Sequence, residues 1–167
     1  MKTSFTLFSE RNLLIALAFF FVLPIQAQNT NDVQESSILE VVSKVFEGIN
    51  THDGDLIRSV MAPSAILFSS SMLNEIPRAN MSTAEQFAEG VSDPDQGFIE
   101  RMFETEVRIR EGIATVWDQY DFHINKRFSH CGVDTFSLIR SAEGWKIVSL
   151  IYTVENEGCP ERPALED

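Results

Sequence analysis

Positive charge is scarce in this chain of 167 residues: 13 Lys and Arg stand against 25 Asp and Glu, for a formal net charge of −12. So acidic a protein repels nucleic acid and anionic membrane surfaces, and beyond solubility its charge is given no role here. Histidine and cysteine are scarcer still, with 3 and 2 copies. His52, His123 and His130 are too scattered for zinc spacing, and the acidic residues form no calcium loop, so neither a metal nor a cofactor is expected. Glycine-rich phosphate loops, nucleophile elbows and dinucleotide fingerprints are missing too. With no internal repeat, low-complexity run or linker, the chain is expected to form one domain.

Long apolar runs are equally rare. Leu13 to Ile25 is too short for a comfortable transmembrane span. Preceded by Lys2 and Arg11 and followed by Gln26-Ala27-Gln28, it is expected to be the core of a secretory signal peptide cleaved after Ala27, with an uncleaved anchor as the alternative. No Cys follows the run to carry a lipid. The expected organisation is a signal peptide over 1–27, a disordered lead-in over 28–36, the domain over 37–159 and an acidic tail over 160–167. Lys2, Glu10 and Arg11 sum to +1, so the mature chain would carry −13 rather than −12. It would be secreted or periplasmic, free of the membrane, and at about 140 residues large enough for one real core. Disulfides persist there, and Cys131 and Cys159 most simply form one bridge, worth roughly 3 kcal/mol in the chain-entropy model. A catalytic thiol is the sharper alternative.

Ile38, Val42, Val45, Phe46 and Ile49 fall at helical spacing, with Ser36 or Ser37 as N-cap and an end near Asn50. After the Thr51-His52-Asp53-Gly54 turn, Asp55 can cap a short helix carrying Leu56, Ile57, Val60 and Met61, which Pro63 stops. Ala65 to Phe68 suits a buried strand and Ser69 to Asn80 a loop. Ser82 and Glu85 make a capping box for a third helix carrying Ala84, Phe87, Ala88 and Val91, closed by the Ser92-Asp93-Pro94-Asp95 turn. Asn80-Met81-Ser82 also fits a glycosylation sequon.

Phe98 to Arg110 alternates as a half-exposed strand, with Ile99, Phe103, Val107 and Ile109 on one face and Glu100 among the charges on the other. Arg101 lies on the apolar side, either at a fraying start or reaching into a cavity. Three runs then follow, Ala114 to Ile124, Cys131 to Arg140 and Trp145 to Val154, joined by short turns into an antiparallel meander. The fold class is α+β, with helices packed on a curved antiparallel sheet. Trp145 to Val154 is apolar on both faces, which points to a second subunit or, less readily, to the acidic tail as cover for the outer face.

The order of these elements, with Asn50-Thr51-His52-Asp53-Gly54-Asp55, Ala114-Thr115-Val116-Trp117 and Gly144-Trp145-Lys146-Ile147, resembles the nuclear transport factor two-like superfamily. Its cone-shaped, cystatin-like fold is shared with polyketide-cyclase-like (SnoaL-like) proteins. Ser129 to Asp134 is similar to a motif of exported members. The resemblance spans roughly Ser37 to Thr153 and implies a deep pocket between helices and concave sheet, with frequent dimerisation through the outer sheet face. It does not carry over one catalytic set, because the fold hosts many unrelated activities.

Asp118 shares its strand face with Ala114, Val116, Tyr120 and Phe122, and such a desolvated carboxylate is a general acid or base, or else caps an amide or pairs with Arg101. A two-residue turn at Asn125-Lys126 leaves the next strand out of phase unless a bulge lies near Gly132, which would aim His130 and Asp134 into the pocket. His130, Asp134 and Tyr120 then form a proton-transfer set, or a polar cluster that holds the bulge and bridge in place. His52 and Asp53 read as a turn pair, and His123 as surface or interface. Three functions follow from this reading. The first is an exported protein binding a small apolar or aromatic molecule among Phe46, Phe68, Phe103, Tyr120, Phe136 and Trp145, with Arg101 reaching in. The second is a cofactor-free lyase or isomerase in which Asp118, His130 and Asp134 move protons and Tyr120 steadies an oxyanion. The third is a sheet-mediated homodimer with no small-molecule role.

Overall fold

The apolar stripe Ile38, Val42, Val45, Phe46 and Ile49 is buried along one face of a long helix, α1 (Ile25–Thr51). The computed structural model describes residues 25–73 and 75–165, so most of the expected signal peptide lies outside the described residues. α1 runs through the stretch 28–36 expected as a disordered lead-in, and no cap interrupts it at Ser36 or Ser37. Among the described residues no helix is long and apolar enough to cross a membrane.

α2 (Gly54–Val60) is capped by Asp53, whose carboxylate accepts the Leu56 amide at 2.9 Å; Asp55 instead pairs with Arg58. Pro63 does not end this helix. The chain turns extended two residues earlier, at the start of β1 (Met61–Leu73), and Pro63 falls where the pairing of β1 is irregular. The serine run continues that strand and pairs with β2 (Ile76–Thr83), so the expected loop 69–80 is largely an edge hairpin. Its side chains are mostly exposed, which removes the apolar alternation that would have marked it. α3 (Ala84–Val91) is capped one residue later than expected, by a reciprocal box of Thr83 and Gln86.

A 3-10 turn, Pro94–Gln96, leads into β3 (Phe98–Arg110), followed by β4 (Ile113–Ile124), β5 (Arg127–Ser141) and β6 (Gly144–Val154). The sheet order is β2-β1-β6-β5-β4-β3. β1 and β6 run parallel, so the sheet is mixed rather than wholly antiparallel: the chain leaves β1 through the hairpin and α3 and returns to the far edge. The Asn125-Lys126 turn has both residues at positive φ, the conformation a two-residue hairpin needs.

Three bulges set which side chains face the helices. In β3 the register shifts between Phe103 and Glu106, opposite Asp118; in β5 Ser129 is the extra residue; in β6 it is Val148. The β6 bulge explains a strand apolar on both sides. Trp145 and Ile147 face the core before it, and Leu150, Tyr152 and Val154 after it, while Ile151 is 51% exposed on the outer face. Tail residues cover part of that outer face after all. The Arg162 guanidinium stacks 4.2 Å over Phe103 and hydrogen-bonds Gln119, and Arg101 donates to the Pro163 carbonyl at 2.8 Å. Cys131 and Cys159 form the expected bridge, with Cα atoms 5.8 Å apart, and so hold the tail there.

Candidate functional site

The two ends of the sheet's concave face differ. At one, Ala114, Val116, Leu138, Trp145 and Ile147 pack solid. At the other, residues of α1, α3 and β3 to β6, with Ser82 of β2, line a partly open cavity of about 410 Å³. Phe46, Phe98, Phe122, Phe136 and Leu150 are among its apolar wall, and Glu100, Tyr120, His130, Asp134 and Tyr152, with Ser82 and Gln86, supply its polar groups.

Of the residues expected to line a pocket, Phe46, Tyr120, His130, Asp134 and Phe136 come together here. Four others do not. Phe68 is 36% exposed, because Ala65 and Leu67 take the inward positions of β1. Arg101 and Phe103 lie on the outer face, because the β3 bulge reverses the alternation of that strand: Phe98 and Glu100 face the cavity before it, Val107 and Ile109 the core after it. Trp145 belongs to the packed end. Arg101 also has a different partner, forking onto Asp121 at 2.9 and 2.5 Å rather than meeting Asp118. His123, expected at a surface or interface, is buried within the chain on the same outer side, 3.6 Å from Asp121.

Glu100 is the residue the sequence reading placed on the wrong face. Its backbone is fixed by Asn50 at the end of α1, which donates to the Glu100 carbonyl at 3.0 Å and accepts its amide at 2.7 Å. An Asn directly before a turn was the available signal, but its partner lies 50 residues away.

Asp118 and Asp134 are direct cross-strand partners. Asp118 is 0% exposed, both its oxygens lack a hydrogen-bond partner, and it lies just outside the cavity lining. Burial alone pushes its carboxyl up to about 8. Glu100 is pushed up to about 8 by burial and then by the nearby Asp118 charge. Asp134 is raised well above the carboxylate range by burial and then by Glu100, to which it is hydrogen-bonded. Both shifts run toward the protonated form, so at neutral pH the Glu100 and Asp134 pair retains its protons. Burial lowers His130, leaving a neutral imidazole stacked on Phe122 at 4.9 Å, with Nδ1 3.0 Å from the Ser129 hydroxyl.

Tyr120 is less free than an oxyanion donor must be. Its hydroxyl donates to the Thr153 carbonyl at 2.5 Å, reaching across Gly132, where a Cβ would collide with Thr153 and the Tyr120 ring. Gly132 thus serves close approach, and the expected bulge lies three residues earlier, at Ser129.

No protein-family model matches the chain, and no curated protein matches it either. Solved structures do. An NTF2-like protein with a cystatin-like fold from Novosphingobium aromaticivorans superposes with a TM-score of 0.62 at 10% identity, over 80% of this chain and 88% of its own. An NTF2-like protein from Cytophaga hutchinsonii gives 0.60 at 12% identity, over 72% and 98%. A candidate dehydratase of the NTF2-like family from Streptomyces avermitilis gives 0.58 at 12% identity, over 74% and 97%. At these identities the likeness is one of fold: helices on a curved sheet in the nuclear transport factor two-like, cystatin-like arrangement.

Proposed function

We propose that this chain, with its nuclear transport factor two-like fold hollow at one end, is an exported protein that binds a small, largely apolar molecule. The carrying observation is the cavity itself: about 410 Å³ of space walled by aromatic and aliphatic side chains, with a few polar groups on one side. The Cys131 and Cys159 bridge supports export. Binding of the neutral dye N-phenyl-1-naphthylamine tests the reading. One dye per chain should bind with a rise in fluorescence, and Val91→Phe, which adds bulk at the cavity wall, should weaken it severalfold while the far-UV circular dichroism stays native. Absence of binding, or binding indifferent to Val91→Phe, would overturn the reading.

A second reading, a cofactor-free lyase or isomerase, is favoured by the two carboxyls Glu100 and Asp134, both shifted toward the protonated form, beside a neutral His130. The acid–base set it uses is Glu100, Asp134 and His130. Asp118 lies behind the lining, and the Tyr120 proton is already committed to a carbonyl. Homodimerisation through the outer face is proposed on a separate observation, the exposed row Phe68, Ile151 and Trp117 across β1, β6 and β4.

A further inference from the structure

Among the described residues the cavity is lined by acids and by no fixed cation. The Tyr120 hydroxyl is spent on Thr153, and the His130 Nδ1 atom faces Ser129. Among the described residues no Lys or Arg lines the space, and β2 and α3 add only Ser82 and Gln86 as polar groups, neither of which ionises. Three carboxyl groups nevertheless look into it or lie directly behind it: Glu100 from β3, Asp134 from β5, and on β4 the fully buried Asp118, with neither oxygen paired. The other titratable groups facing them are Tyr120, His130 and Tyr152.

Buried carboxyls without a cation stay protonated, and the remedy that lets one ionise is a partner that brings positive charge and N–H donors. Among the described residues no group of three His, Cys, Asp or Glu side chains is placed to hold a metal ion, so the remedy that fits is organic. The rest of the wall suits such a cation. Phe46, Phe98, Phe122 and Phe136 present rings around the same volume, and aromatic faces attract ammonium groups as well as apolar bodies.

We infer that the cavity takes an organic amine, its ammonium seated against Glu100 and Asp134 and its apolar or aromatic body among the phenylalanines. The inference rests on the binding reading above and narrows it to a ligand class. On binding, one of the two protons held by the carboxyls leaves to solvent and the ammonium pairs with the carboxylate so formed, so uptake of the amine releases a proton. Anionic ligands are refused, because among the described residues the cavity wall holds no Lys or Arg to balance a buried negative charge.

The experiment compares three probes of one shape: 3-phenylpropylamine, 3-phenylpropan-1-ol and 3-phenylpropionate, titrated calorimetrically into the intact protein at pH 7 in two buffers of different ionisation enthalpy. The amine should bind at least about tenfold more tightly than the alcohol, since a desolvated ammonium gains both charge-assisted hydrogen bonds and ring contacts. The carboxylate should be the weakest. About one proton should be released per amine bound and none per alcohol, as ionisation of the shared carboxyl pair requires. Glu100→Gln should bring the amine's affinity down toward the alcohol's. Alcohol and amine binding equally, or amine binding with no proton release, would overturn the inference and leave the binding function standing. Binding by none of the three would overturn both.

Discussion

Asp118→Asn turns the most isolated acid of the fold into a measurement of its own protonation. In the unfolded chain an aspartate titrates near ~4, whereas in the folded protein burial pushes Asp118 up to about 8. Between these values the folded state holds a proton that the unfolded state has lost, so stability is greatest below the unfolded value and declines as pH rises through the folded one. The slope is about 1.4 kcal/mol per pH unit, which amounts to about 4 kcal/mol lost between pH 4 and pH 7 from this one side chain. Asparagine does not titrate. Its amide, unpartnered in the same place, costs about 1–3 kcal/mol at every pH, so the diagnostic is the pH dependence and not the offset. Glu100 and Asp134 titrate in both proteins, so their own pH dependence largely cancels in the difference between parent and variant. Urea unfolding followed by the fluorescence of Trp117 and Trp145 at pH 4, 5, 6 and 7 should therefore show the variant gaining on the parent with every unit. A difference that stays flat from pH 4 to pH 7 would mean that Asp118 is ionised or paired in the folded protein, and the account of the buried acids would fail with it.

Gly132→Ala should lower stability by about 1–3 kcal/mol, because the new methyl meets the Thr153 carbonyl and the Tyr120 ring and breaks the bond between them; an unchanged melting temperature would refute that tight approach. Ile151→Glu places a charge at the centre of the exposed outer row and should convert a dimer to a monomer in light scattering, whereas an unaltered assembly would exclude that face as the interface. Leu150→Glu, one residue earlier, should instead unfold the protein, since Leu150 faces inward after the Val148 bulge; a folded, soluble variant would contradict that placement.

Much of the frame was legible because its signals are local. The stripe from Ile38 to Ile49, the span of Phe98 to Arg110, the turn at Asn125-Lys126 and the inward face Ala114, Val116, Asp118 and Tyr120 all follow from spacing along a single element. The hairpin of β1 and β2 was not legible for the opposite reason. An edge hairpin with serine-rich, exposed strands is specified by backbone pairing to β6, a strand some 80 residues later in the chain, and its side chains carry little periodicity. The parallel pairing of β1 with β6 was hidden by the same distance.

Side-chain facing follows the sequence parity on one strand and is reversed on its neighbour, and bulges account for the difference. In β4 alternation is unbroken, so Asp118, Tyr120 and Phe122 face inward as their parity requires. In β3 one extra residue switches the parity, and Val107 and Ile109, inward beyond the bulge, lent Arg101 and Phe103 an apolar face that belongs to the other half of the strand. The same switch that sent Arg101 outward to Asp121 brought Glu100 inward to Asp134. Moving a cation out of a cavity and an acid into it reverses the charge that its wall can present. A bulge of one residue thus fixes the chemistry of the site as well as the shape of the sheet, and reading either requires the strand across from it.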